Sequence, residues 1–248
     1  MRIAALYDIH GNLDALEAVL AAVEVEGPDL ILLGGDIVMG PFPAETADRL
    51  LSMTRPVERI RGNTDRLVLT PPAPGEAQFW KESRVWVAER LTPRHRDWLE
   101  NMPTTKSFDL HGLGPTIFCH GTPRSDEEII TPITSDERLG EILAAVQEPV
   151  VVVGHVHVQY DRRAAGKRIV NVGSVGMPYE RARGAYWAML GPDVELRRTD
   201  YDIAHAVDRI AGSGFPATDD FVKNLIAPPS PDEVSERFER LATAGSRS

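Results

Sequence analysis

Short apolar runs alternate with helical stripes through the first sixty residues. Arg2–Tyr7, Leu30–Leu33 and Val57–Ile60 have the length and aliphatic content of buried strands. Between the first two, Leu13, Leu16, Val19, Leu20 and Val23 recur at three- and four-residue spacing. That spacing predicts a helix from Leu13, with Asn12 as its N-cap and Asp14 favourably placed in its first turn. Gly27-Pro28 ends the unit, and a second helix is expected over Ala44–Met53. The alternation points to a layered α/β domain.

The rhythm then changes. Thr70–Gln78 holds three prolines and a glycine and reads as a loop or lid hinge. Helical stretches follow near Phe79–Leu91 and Arg94–Glu100, then a strand, Thr116–Cys119. Thr134-Ser135-Asp136-Glu137 resembles a capping box for a helix that turns Leu139, Ile142, Leu143 and Val146 inward. Val150–Val153 is a four-valine strand covered on both faces. Tyr160–Arg163, Arg168–Val172, Ala185–Leu190 and Val194–Arg198 read as antiparallel hairpin strands of a second sheet. Helices are expected near Ile203–Ile210 and after Ser230-Pro231, with Gly212–Pro231 as a linker and Gly245–Ser248 frayed. The division that follows is a main domain over 1–211 and a linker plus helix over 212–248, where Val234, Phe238 and Leu241 need a surface to cover them.

The formal charge of −10 argues against a stable nucleic-acid complex or an anionic membrane surface. No apolar run approaches the roughly 20 residues that span a bilayer. The single cysteine, Cys119, allows no intrachain disulfide and suits a reducing compartment. Met1 leads within a few residues into Asp8, leaving no room for a signal peptide, so a cytoplasmic protein is expected. Homo-oligomer formation is left open.

The chemistry lies where the apolar runs stop. Asp8-Ile9-His10, Gly35-Asp36, Gly62-Asn63, Cys119-His120-Gly121 and Gly154-His155-Val156-His157 each follow such a run. Strand ends are where α/β sheets place ligand sites. One Asp-x-His or His-x-His is weak evidence, and Gly-Asp is a common turn. Together the segments offer enough oxygen and nitrogen donors for two divalent cations, with Asp36 able to bridge and Asn63 adding a neutral amide oxygen. A mixed imidazole, carboxylate and amide set suits Mn, Fe, Zn or Co better than Ca or Mg. Paired cations clamp phosphoryl groups and acidify water.

These segments, with Gly62-Asn63-Thr64-Asp65 and Asn171-Val172-Gly173-Ser174-Val175-Gly176, resemble the calcineurin-like metallophosphoesterases, and among them the small bacterial and archaeal phosphodiesterases. The resemblance runs from Asp8 to Gly176. It implies a four-layer α/β/β/α sandwich of two mixed sheets. It implies Asp8, His10, Asp36 and His157 around one ion, and Asp36, Asn63, His120 and His155 around the other. A bridging hydroxide would attack phosphorus in line, without a phosphoenzyme. Many members carry histidine where this chain has Thr64, and threonine has no pKa suited to a general acid. Asp65 would then hold its loop, and esters with good leaving groups would suffer least.

The expected activity is thus hydrolysis of small phosphate esters, diesters favoured, with Asp36, Asn63 and Thr64 closest to the chemistry. Arg66 and Arg124 follow the Asn63 and His120 loops and are candidates for holding phosphate oxygens. Tyr179, Arg181 and Arg183 are rim candidates or plain turn residues. Trp80, Trp86 and Trp98 have the helical spacing of core residues, or could stack on a base. Two rival functions are hydrolysis of a nucleotide anhydride, such as a dinucleoside polyphosphate, and a non-catalytic scaffold on the same fold.

Overall fold

The computed structural model describes residues 1–245, and side chains as far as Thr243. The first unit is β1 (Ile3–Leu6), α1 (Leu13–Glu26), β2 (Leu30–Leu33), α2 (Pro43–Leu51) and β3 (Val57–Arg59). Asn12 caps α1 as expected, its Oδ1 accepting from Ala15 N at 3.2 Å. Then come α3 (Asn63–Leu67), α4 (Gln78–Arg90), α5 (Pro93–Glu100), β4 (Thr105–Leu110) and β5 (Gly114–Cys119). The chain continues through α6 (Asp136–Ile142), β6 (Val150–Val153), β7 (Tyr160–Ala164), β8 (Lys167–Asn171), β9 (Ala185–Leu190) and β10 (Val194–Thr199). It closes with α7 (Ile203–Ala211), α8 (Thr218–Ile226) and α9 (Pro231–Gly245).

Two five-stranded mixed sheets form, in the orders β10-β9-β1-β2-β3 and β4-β5-β6-β8-β7. Strands β1, β2 and β3 run parallel, as do β5, β6 and β8, while β9 pairs antiparallel with β1 and β10, β4 with β5, and β7 with β8. The sheets pack face to face. Ile3, Ala5, Tyr7 and Leu32 of one share an apolar layer with Phe118, Val150, Val152 and Val170 of the other. The alternate residues of the same strands face helices: Ala4, Leu6, Ile31 and Leu33 meet Leu16, Val19 and Ala206, while Val151 and Val153 meet Leu139, Ile142 and Val234. Period-two alternation on strands buried from both sides thus yields four layers, α/β/β/α.

Several expectations need correction. The four late hairpin strands do not form one sheet: β7 and β8 join the second sheet, while β9 and β10 return to the first, where β9 pairs with β1. The stretch expected as a linker carries α8, whose Phe221 and Leu225 are buried in the core of the first helical layer. Strand β4 was not apparent in the sequence. Five of its six residues are half-exposed or exposed, so it lacks the apolar run of an interior strand. The cap of α6 is Ser135 rather than Thr134, with Ser135 Oγ accepting from Arg138 N at 3.3 Å. The Pro-rich stretch before α4 is a pinned loop. Arg84 donates to Leu67 O at 2.6 Å and Thr70 O at 3.0 Å and pairs with Glu76.

The reading of Ser230 as an N-cap holds: Ser230 Oγ accepts from Glu233 N, and Glu233 Oε2 accepts from Ser230 N at 3.0 Å. In α9, Val234 is buried and Phe238 packs partly against the second helical layer, so this same chain covers them. Leu241 stays 55% exposed. Of the end expected to fray, Gly245 closes α9, and residues 246–248 lie outside the described residues. Among the described residues, no helix is long and apolar enough to cross a membrane.

Candidate metal centre

Five strands deliver the donor residues to one edge of the sandwich. Asp8 and His10 follow β1, Asp36 follows β2, Asn63 and Thr64 open α3 after β3, His120 follows β5, and His155 and His157 follow β6. Five of these residues have left-handed backbones: Asp8 (φ 52), His10 (φ 48), Asp36 (φ 54), His155 (φ 67) and His157 (φ 58). Ala165 is the only other described non-glycine residue with positive φ. Such a backbone costs about 1–2 kcal/mol for a residue with a Cβ, and strain of this kind collects at functional sites. Main-chain bonds hold it in place: Asp8 N donates to Gly35 O, His10 N to Asp36 O, and Gly154 N to His120 O.

The side chains converge. Asp8, His10 and His157 present donor atoms within 4.8 Å of one another, and so do Asp8, Asp36 and His120. Each aspartate has one oxygen tied back and one turned inward. Asp8 Oδ2 accepts from His155 N at 3.0 Å, and Asp36 Oδ1 from Thr64 N at 2.8 Å. Asp8 Oδ1 lies 3.2 Å from His157 Nε2, 3.7 Å from His10 Nε2 and 3.8 Å from His120 Nε2. Asp36 Oδ2 lies 3.5 Å from His120 Nε2 and 3.8 Å from His10 Nε2. Asn63 Oδ1 is 3.1 Å from His120 Nε2. The His155 ring stands edge-on to His120 with centroids 5.2 Å apart, and lies outside the two tight groups.

The imidazoles are oriented from behind. His10 Nδ1 faces Met39 O at 3.1 Å, His120 Nδ1 faces Gly34 O at 2.9 Å, and His157 Nδ1 faces Met177 O at 2.7 Å. A carbonyl only accepts, so each Nδ1 carries the proton and each Nε2 turns its lone pair to the centre. This is the tautomer that binds metals. His10 Nε2 and His157 Nε2 are 3.1 Å apart, so two lone pairs confront each other unless a proton or a cation lies between them. Asp8 Oδ1, fully buried, accepts no hydrogen bond among the described residues. A buried anionic oxygen without a donor and facing imidazole nitrogens are each costly alone, and a divalent cation satisfies both. The donor set therefore fits divalent metal.

Without a cation, protons take its place. Burial opposes charging His10, but Asp8 and Asp36 outweigh it and raise its pKa. The same contest raises His120 to about 10. Burial and neighbouring His120 push His155 down to about 4. Burial pushes Asp8 and Asp36 upward, yet the histidines hold both carboxyls below the ordinary range, His157 and His120 acting on Asp8 and His120 foremost on Asp36. Asp65 holds the Asn63 loop as expected, accepting from Asp36 N at 2.8 Å, Ile37 N at 2.9 Å and Gly62 N at 3.1 Å. Burial and Asp36 raise it to about 6.

The two arginine candidates are committed elsewhere. Arg66 forks onto Asp126 at 2.8 Å and reaches Glu127, and Arg124 pairs with Glu128 at 2.5 Å. Thr64 contributes its main-chain N–H, and its buried Oγ1 has no partner among the described residues. Tyr179 is a rim residue, stacked on His157 with centroids 5.0 Å apart and planes 16° apart. Arg181 pairs with Asp232 at 2.5 Å. Trp86 and Trp98 pack on the first helical core, as does one side of Trp80.

The Asn171–Gly176 segment braces the Asp8 loop. Ser174 Oγ donates to Asp8 O at 2.7 Å, and Asn171 Nδ2 donates to Gly154 O at 2.6 Å. Sequence reasoning missed the carbonyls of Gly34, Met39 and Met177, which carry no side-chain signature. It also missed the approach of α9, whose Phe238 ring lies 6.3 Å from His155.

Known proteins carry the same framework. The chain is similar to a metallophosphoesterase of Sphaerobacter thermophilus, 27% identical with a TM-score of 0.73 over 92% of this chain and 98% of that one. It is also similar to an uncharacterised protein of Methanocaldococcus jannaschii, 25% identical over 86% of this chain and 93% of the relative. Phosphodiesterase YfcE of Escherichia coli is 30% identical over 124 residues, 44% of this chain and 65% of that protein. The family model for the calcineurin-like phosphoesterase superfamily domain matches residues 1–191, from β1 to the end of β9 and across every proposed ligand. By that match, this chain belongs to the calcineurin-like phosphoesterase superfamily.

Proposed function

We propose that the protein is a phosphodiesterase working with two divalent transition-metal ions. The observation that carries this reading is the pair of inward carboxylate oxygens, Asp8 Oδ1 and Asp36 Oδ2, set among three Nε2 lone pairs. Asp8, His10, Asp36 and His157 would hold one ion, and Asp36, Asn63, His120 and His155 the other. Mixed nitrogen and oxygen donors favour Mn, Fe, Zn or Co. Bound there, the cations supply Lewis acidity and lower the pKa of water.

The chain's own residues set the shape of the reaction. Backbone N–H groups of His155 and Thr64 fix the aspartates, so the inward oxygens need no reorganisation. Asn63 adds a neutral oxygen, which limits negative charge facing a phosphate anion. Position 64 holds no general acid, so esters whose leaving oxygen departs without a proton are preferred. The named activity of the Escherichia coli relative supports a diester substrate. Water is the acceptor and no phosphoenzyme forms. The lone cysteine, buried, fits a cytoplasmic setting.

Purified protein assayed with Mn should hydrolyse bis(p-nitrophenyl) phosphate faster than p-nitrophenyl phosphate, and chelation should abolish both. Absence of metal-dependent turnover of either ester overturns the proposal.

A further inference from the structure

Against His10 lies a cavity of about 350 Å³ lined by α4, the Met177–Tyr179 loop, α8 and α9. Aromatic residues are prominent in its lining: Phe79 and Trp80 from the start of α4, Tyr179, and Phe221 from α8. We propose that this cavity receives a flat heteroaromatic group, of the nucleobase kind, carried by the phosphodiester whose phosphorus sits at the metal centre. The inference rests on the function proposed above and assigns its substrate class.

Three features point to this occupant. His10 belongs both to the cavity wall and to the ligand group, so the cavity lies directly against the centre, within the reach of one ester substituent. Aromatic walls take flat rings by stacking, an interaction tolerant of which ring is offered. Asn224 sits 9% exposed within this apolar lining. Its amide nitrogen donates to Pro178 O at 3.3 Å, while its Oδ1 accepts nothing among the described residues. An unspent amide edge in a ring-lined cavity matches the N–H and C=O edge of a base and is wasted on a plain hydrocarbon.

The mouth suits the rest of a nucleotide ester. Arg237 lies 5.9 Å from the Tyr179 ring and makes no ion pair among the described residues, which leaves its charge for the phosphate. Asp220, exposed on the same rim, is an acceptor for a sugar hydroxyl.

The test compares two diesters that share a leaving group: the p-nitrophenyl ester of thymidine 5′-phosphate and methyl p-nitrophenyl phosphate. With Mn, kcat/KM should favour the thymidine ester by at least about tenfold, mainly through KM. Phe79→Ala and Trp80→Leu should each bring the ratio of the two substrates down at least about threefold. Phe79 is 55% exposed, so its truncation spares the core. Ile133→Ala, at an exposed site before α6, should keep the wild-type ratio. Thymidine itself should quench the tryptophan fluorescence of metal-free protein, and less so after Phe79→Ala. A wild-type ratio near one, or a ratio unmoved by both ring variants, overturns the inference while turnover of the methyl ester leaves the phosphodiesterase reading standing. Failure to hydrolyse either ester with any metal sinks that reading, and the fluorescence titration still tests the cavity.

Discussion

Gly40 offers a sharp test of how the centre is held. It follows β2 and presses on the Asp8 loop so closely that a Cβ built there would fall 1.7 Å from His10 O and 2.5 Å from His10 C. Ordinary carbon contacts need about 3.5 Å, so Gly40→Ala forces the His10 main chain to retreat by well over an ångström. Metal ligation tolerates about 0.2 Å. The variant should therefore lose at least about 100-fold in metal affinity at the site His10 serves, and a comparable factor in kcat/KM. Overpacking should cost about 1–3 kcal/mol of stability. Gly140 is the control. It lies within α6 with nothing inside 4 Å of its virtual Cβ, so Gly140→Ala should raise stability by about 0.5–1 kcal/mol and leave metal binding alone. Isothermal titration with Mn and urea unfolding in chelator measure both quantities. Gly40→Ala binding metal within threefold of wild type would refute the claim that the backbone clamp sets ligand position.

Other consequences are as direct. His120 is raised to about 10 when no cation is bound, so loading the site must expel its proton, and affinity for Mn should rise between pH 6 and 9 by up to about tenfold per unit; a flat profile denies the coupling. In chelator, the stability that protonated His120 contributes is complete below its unfolded pKa of 6.5 and lost as pH climbs through about 10. Half-buried neutral His155, lowered to about 4, acts in the other direction: unfolding takes up a proton below pH 6.5, so metal-free protein should weaken as pH falls from 6.5 toward 4. Urea titrations across pH check both slopes, and His155→Asn should remove the acidic one. Arg84→Met should cost about 2 kcal/mol by stranding the carbonyls of Leu67 and Thr70 and should raise proteolysis of the 70–77 loop, which limited trypsin digestion would show.

The strand ends were the most readable part of this chain. A buried strand with an aliphatic run announces where it stops, and the residue after the stop was in each case brought to the shared edge, as for Asp36 after Leu33 and His120 after Cys119. Pairing between distant strands left no such trace. Nothing local in Ala185–Leu190 says that its partner is β1, because the register is set by which faces two sheets bury together. Strand β4 hid because its outer positions are polar, although Gly112 and Gly114, at φ 79 and 74, mark the turn into β5. Helix α8 hid between Gly214-Phe215-Pro216 and Pro228-Pro229, punctuation that outweighed its apolar spacing of Phe221, Val222 and Leu225. The candidate ligand histidines could be named, but not their carbonyl partners, since any residue can supply a carbonyl.

The left-handed residues at the centre separate durability from activity. Main-chain hydrogen bonds at the strand ends hold those unfavourable torsions, so chelated protein should keep the site's shape and take up metal without refolding. The same wiring makes each of those positions a spot where glycine would relax the chain. A lineage that drifted there would gain thermal robustness while surrendering chemistry, and the sandwich itself would persist as an intact but silent shell.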